Sequence, residues 1–157
     1  GLTLLCVFLI GVSSLREGIM DPLRTGVGYL LVPIQSGVNV TLTDGTVEHF
    51  TLTEHDQTSL VGLQSQVAAG EESIPWHTSN EGEHCKFYSN ADMGLIITQA
   101  MAWVTWHVTY FRDLRIYIRD LESKEEVAEV VYGMELPEAY QSEPLKVMIA
   151  AQAGDIV

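Results

Sequence analysis

Positive charge is scarce in this sequence. Eight Lys and Arg stand against 21 Asp and Glu, a formal net charge of −13 over 157 residues. Residues 1–38 hold Arg16, Glu17, Asp21 and Arg24, which cancel, so the whole excess lies after residue 38. Such a surface repels phosphates, and nucleic acid is not expected as a partner. Cysteine is scarce too: Cys6 sits in an apolar run and Cys85 in a predicted hairpin, contexts that do not suggest pairing. A reduced, intracellular setting is the simpler expectation. The chain also lacks the short motifs of common chemistries, G-x-S-x-G, the phosphate-binding loop and G-x-G-x-x-G. Isolated Ser and Asp residues cannot be made a triad from spacing. The expectation is no catalytic residue, no cofactor and no enzyme. Long linkers and low-complexity segments are missing as well.

Metal ligands are present but badly spaced. His77, His84, Cys85 and His107 invite a zinc reading, that of a small zinc-dependent enzyme or regulator. Yet neither C-x-x-C nor H-x-x-x-H occurs, and a closed tetrahedral site needs three or four converging ligands. The favoured reading places His77 and His84 on exposed strands, makes Cys85 a small core residue and His107 a packed polar one, with no metal.

What the chain does have is one long helical period from Ser89 to Glu122, free of proline. Met93, Ile96, Ile97, Ala100, Met101, Val104, Val108, Phe111, Leu114, Ile118 and Leu121 recur in steps of three and four. Ser89 or Asn90 caps it, and Asp92 lies near the positive end of its dipole. About 30 residues at 1.5 Å each make a rod of roughly 45 Å. It is expected to serve as a spine, with Thr109–Arg112 the place for a break. The Arg112, Asp113, Arg115, Arg119 and Asp120 group and Glu125, Glu126 and Glu129 read as solvated helix faces.

Smaller elements surround this spine. VNVTLTDGTVEHFTLT alternates apolar and polar residues around Asp44-Gly45, a strong hairpin signal. Val40, Leu42, Val47 and Phe50 are the expected core-facing residues. Thr53, with Asp56 three residues on, opens a helix through Leu60, Leu63 and Val67 that stops at Gly70. A second hairpin is expected near Ile74–His77 and Cys85–Tyr88, turning at Asn80–Gly82. Ser123 caps a helix ending at Gly133. Leu136-Pro137-Glu138 starts a last helix through Tyr140, Leu145, Met148 and Ile149, with Pro144 tolerable in a first turn or at a break. The order is ββ-α-ββ-α-α-α, an α+β fold of two hairpins packed on a long central helix with additional helices, preceded by an apolar N-terminal helix.

Aromatic side chains gather on the spine and the second hairpin. Trp103, Trp106, Tyr110, Phe111 and Tyr117, with Trp76, Phe87 and Tyr88, could line a binding groove. Trp106 and Tyr110 share a helical face. The candidate interaction residues are Trp76, Trp103, Trp106, Tyr110 and Tyr117; the competing reading makes each a core aromatic.

The opening residues GLTLLCVFLIGVSS carry no charge. Fourteen are too few to span a bilayer, which takes about 20. A soluble domain rarely opens on so pure a run, so it is read as a truncated membrane anchor rather than a buried helix or strand, with any membrane contact through residues 1–14. The first residue is Gly rather than Met, as in a fragment. No A-x-A-like cleavage site follows it. Asp21-Pro22-Leu23-Arg24 and Pro33-Ile34-Gln35-Ser36-Gly37-Val38-Asn39 resemble the membrane-proximal segment of the rod shape-determining protein MreC family. That resemblance implies a membrane-anchored cell-shape scaffold and an inner-membrane location.

A second resemblance covers about residues 38–157. VTLTDGTVEHFTLTEHDQ, then W-H-x-x-x-x-G-x-x-C-x-F-Y-S-x-A-D-M, W-H-V-T-Y-F-R-D-L and YG-x-x-x-P-x-x-Y-x-S-E-x-L are similar to proteins from tail and tail-fibre regions of phages and prophages of Gram-positive gut bacteria. It implies a virion-associated or assembly protein with no established activity. The expected organisation is an anchor-like segment, 1–38, and an acidic globular α+β domain, 39–157. The domain's expected role is structural or interaction work in a phage tail, in the virion or the bacterial cytoplasm. Its expected partners are tail components or further copies of itself.

Overall fold

The computed structural model describes residues 33–154. The apolar run and the Asp21–Arg24 motif lie outside the described residues. The fold is α+β, built from two antiparallel hairpins and a long helix accompanied by shorter ones. In chain order the elements are β1 (Val38–Thr41), β2 (Val47–Phe50), α1 (Glu54–Ala68), β3 (Ser73–Trp76), β4 (Lys86–Ser89), α2 (Asn90–Asp120), α3 (Lys124–Ala128), a 3-10 turn (Glu138–Tyr140) and α4 (Glu143–Gly154). They fall into two compact units, one ending at His107 and one beginning at Val108. No helix among the described residues is long and apolar enough to cross a membrane.

In the first unit, β1 and β2 pair with Val38 opposite Phe50 and Val40 opposite Glu48. The turn differs from the two-residue primed form that Asp44-Gly45 suggests. Gly45 N–H donates to the Leu42 carbonyl at 2.9 Å, Leu42 N–H donates to Thr46 O at 2.8 Å, and only Gly45 takes a positive φ, +85°. Three residues, Thr43, Asp44 and Gly45, thus separate the closing pair. The extra residue shifts the register by one and turns Val47 outward, because strand faces alternate. Val47 is 61% exposed opposite Thr41, against the expectation that it faces the core, whereas Val40, Leu42 and Phe50 are buried as expected.

Gly37 sets the entry to this hairpin. Its φ is +87°, and a Cβ there would lie 2.0 Å from the Phe50 carbonyl oxygen, so only glycine fits. Next to it Ile34 is buried, and Leu52 N–H donates to Gln35 O.

Thr53 and Asp56 form a complete capping box at the start of α1. Asp56 is itself buried; its Oδ2 accepts from Thr53 N–H at 3.1 Å and from the Thr51 hydroxyl at 3.2 Å. Leu60 is fully buried on this helix, and Leu63 and Val67 are half-buried. The second hairpin pairs Ile74 with Tyr88 and Trp76 with Lys86. Ser89 then accepts from Asp92 N–H at 3.1 Å, which caps α2. Asn90 instead donates to the carbonyls of Val67 and Glu71, fastening the end of α1. Met93, Ile96, Ile97 and Ala100 on α2, together with Phe50, Leu52, Leu60 and Ile74, are among this unit's buried apolar side chains.

The helix α2 is uninterrupted for 31 residues, so the expected break at Thr109–Arg112 is absent. In the second unit it buries Tyr110, Phe111, Leu114 and Ile118, with Val130, Leu136 and Leu145 from the segments that follow. Ser123 and Glu126 form another capping box, but α3 stops at Ala128 rather than reaching Gly133. Tighter turns follow it, with Glu129 N–H donating to Glu126 O and Val130 N–H to Val127 O, and the Tyr110 hydroxyl then holds the chain by accepting from Gly133 N–H at 2.9 Å and donating to Met134 O at 2.8 Å. The last helix begins at Glu143 after the separate 3-10 turn, with Pro144 in its first turn. Asp113, also buried, accepts from Ser142 N–H at 2.8 Å just ahead of that start.

Candidate interaction surface

The five predicted aromatic residues distribute over separate ring clusters. Trp76 is buried on β3 and stacks on His77 at 4.5 Å. Trp103 and Trp106, both half-buried, meet the buried His107 edge-on at 4.4 and 5.1 Å. Burial between those indoles pushes the His107 imidazole below its ordinary value. Tyr110 is buried against Tyr132 at 5.2 Å, and Tyr117 meets Tyr140 at 5.0 Å. Burial raises Tyr110 and Tyr132, so both keep their protons and Tyr110 can donate. Trp76 and Tyr110 therefore point into the interior of their own units. Trp103, Trp106 and Tyr117 keep a partly exposed edge.

Cys85 is exposed rather than a core residue, and His84 is exposed in the same loop. His77 lies in the loop after β3, where its Nδ1 is 3.0 Å from Thr78 O and its Nε2 is 3.5 Å from Asp56 Oδ1. The buried carboxylate of Asp56 thus serves both the helix cap and the loop. Ser79 joins that loop to β2: its N–H donates to His49 O at 2.9 Å, and its hydroxyl lies 2.8 Å from His49 Nδ1. Among the described residues no group of three or more His, Cys, Asp or Glu converges as a metal site would require.

A different aromatic is the most exposed of the large apolar side chains. Phe87, in the middle of β4, is 73% exposed, and its cross-strand partner Pro75 is exposed as well. The residues on either side of Phe87 are held from behind. Lys86 Nζ pairs with Glu48 Oε1, and the Tyr88 hydroxyl donates to Glu48 Oε2 at 2.6 Å. Tyr88 also meets Phe50 edge-on at 5.9 Å. Burial first, then the bond to Glu48, drives the Tyr88 phenol far above its usual range, so the hydroxyl remains a donor. Glu48 therefore stitches β2 to β4 on the inner side, while alternation turns Phe87 outward. Phe87 belongs to the aromatic group legible in the sequence but not to the five candidate interaction residues. The i, i+2 alternation through Lys86 and Tyr88 was the signal for its outward direction.

Eight large apolar side chains are exposed among the described residues. In the first unit they are Val47, Val61 and Phe87. In the second they are Val108, Ile116, Val131, Val147 and Ile149. Comparison with protein-family models, with curated proteins and with solved structures found no significant match.

Proposed function

We propose that this chain is a non-enzymatic structural or interaction protein, and that its setting is the tail of a phage or prophage. The observation that carries the interaction reading is the outward presentation of Phe87 on a strand fixed by the Glu48 clamp. An exposed ring held on a rigid strand loses little conformational freedom on binding, which favours a contact surface. The tail setting draws on the ordered motifs of residues 38–157. The cell-shape scaffold reading draws on residues 1–39. Within the described part of that stretch, Ile34, Gln35 and Gly37 serve the β1–β2 hairpin.

The test is fractionation of particles from an induced lysogen carrying an epitope-tagged chain. Co-sedimentation with tails or assembly intermediates, resistant to a salt wash, is the expected result. A chain that stays in the unassembled fraction throughout induction would end the tail reading, and recovery with the inner membrane would favour the scaffold.

A further inference from the structure

We propose that the outer face of the β3–β4 hairpin is a docking surface. Its occupant is a protein that presents a cluster of Arg and Lys around an apolar recess. This rests on the interaction reading above and names the partner's chemistry.

Charge identifies the occupant. Between residues 31 and 107 the first unit carries nine carboxylates and one basic side chain, Lys86, which is already paired with Glu48. Exposed carboxylates bracket the hairpin in sequence: Glu71 and Glu72 lead into β3, and Glu81 and Glu83 lie in the loop before β4. Glu83 is oriented by hydrogen bonds from Thr78 and Asn80, at 3.0 Å each, while remaining exposed. An apolar ring on a hairpin that exposed, uncompensated carboxylates flank at both ends is complementary to a basic rim around an apolar recess. A second copy of this chain brings the same excess to the contact, so self-association through this face sets carboxylate against carboxylate.

The hairpin also determines the mode of contact. Pro75 has no amide hydrogen, which disfavours strand addition along β3. The proposed contact runs through side chains on the face, with Phe87 as the anchor in the partner's recess and the glutamates as the rim.

The experiment uses the immobilised full chain and a combinatorial random-peptide library as the probe. Phe87→Ser, the triple variant Glu71→Gln/Glu72→Gln/Glu81→Gln and the control Val61→Ser are compared after far-UV circular dichroism confirms folding. The expected peptides combine Arg or Lys with apolar residues. They bind Phe87→Ser at least about tenfold more weakly, weaken with added salt and with the triple variant, and bind Val61→Ser like the wild type. A library that yields no binder, binders without cationic bias, or binders indifferent to Phe87→Ser overturns the proposal. If such a result accompanies co-sedimentation with tails, the surface is wrong and the interaction reading stands. If co-sedimentation fails as well, both fall.

Discussion

Removing one oxygen atom, in Tyr110→Phe, tests how the second unit holds the segment after α3. The ring is 3% exposed and meets Tyr132 at 5.2 Å, so phenylalanine fills the same space and the packing is kept. Two hydrogen bonds disappear, the one donated to Met134 O and the one accepted from Gly133 N–H. Each neutral bond contributes about 0.5–1.5 kcal/mol net, and more when the abandoned group stays dry. Gly133 is exposed and Met134 half-buried, so water reaches part of the vacated pair. The loss should be about 1.5–2 kcal/mol, corresponding to a melting temperature lower by roughly 3–8 °C for a chain of this size. Urea denaturation followed at 222 nm measures the free energy, and amide exchange reads the Gly133 N–H directly. A midpoint shift equivalent to under about 0.5 kcal/mol, together with unchanged protection at Gly133, would refute the account.

Three further outcomes are expected. Gly37→Ala forces a Cβ onto the Phe50 carbonyl in a positive-φ position and should cost more than about 3 kcal/mol, seen as loss of cooperative urea unfolding. The buried His107 has a depressed pKa, so folding is insensitive to this group above its ordinary value of 6.5 and loses stability as pH falls from there toward the folded value. Urea midpoints across that window should decline in the wild type and decline less in His107→Leu. Asp92 accepts from Thr43 N–H and from its hydroxyl, both at 2.8 Å, and those bonds lower its pKa, the backbone one most. Asp92→Ala should cost about 1–2 kcal/mol at pH 7 by denaturation. The deficit should shrink as pH falls through the depressed pKa, below 3.8, where the wild-type carboxylate is itself neutralised.

How much of this was legible in the sequence depends on the range of each interaction. Local signals read well: the Thr53–Asp56 capping box, the Ser89 cap and the apolar spacing of the long helix act within a few residues. Turn geometry was half legible, since Asp44-Gly45 marks a hairpin but not whether two or three residues span it, and that single residue decides the direction of Val47. The helix expected to run to Gly133 stops at Ala128, and Gly133 is instead held by a hydroxyl 23 residues away, a contact that local propensity does not encode. The Glu48 clamp joins residues 38 and 40 apart in sequence. It was invisible for the same reason, and with it the fixed presentation of Phe87. Trp76 and Tyr110 are legible in the sequence only as rings; whether a ring faces inward depends on partners that only the folded chain brings near.

Ser89 closes β4 and Asn90 opens α2, so no connecting residue separates strand from helix. A strand and a helix fused in this way cannot swivel independently. Torque applied to the first turns of the helix must reach the hairpin as rotation of its ladder, and a load on Phe87 must return along the same splice. Lengthening that junction by a single glycine would uncouple the two and carry the Ser89 hydroxyl away from the Asp92 N–H that it caps.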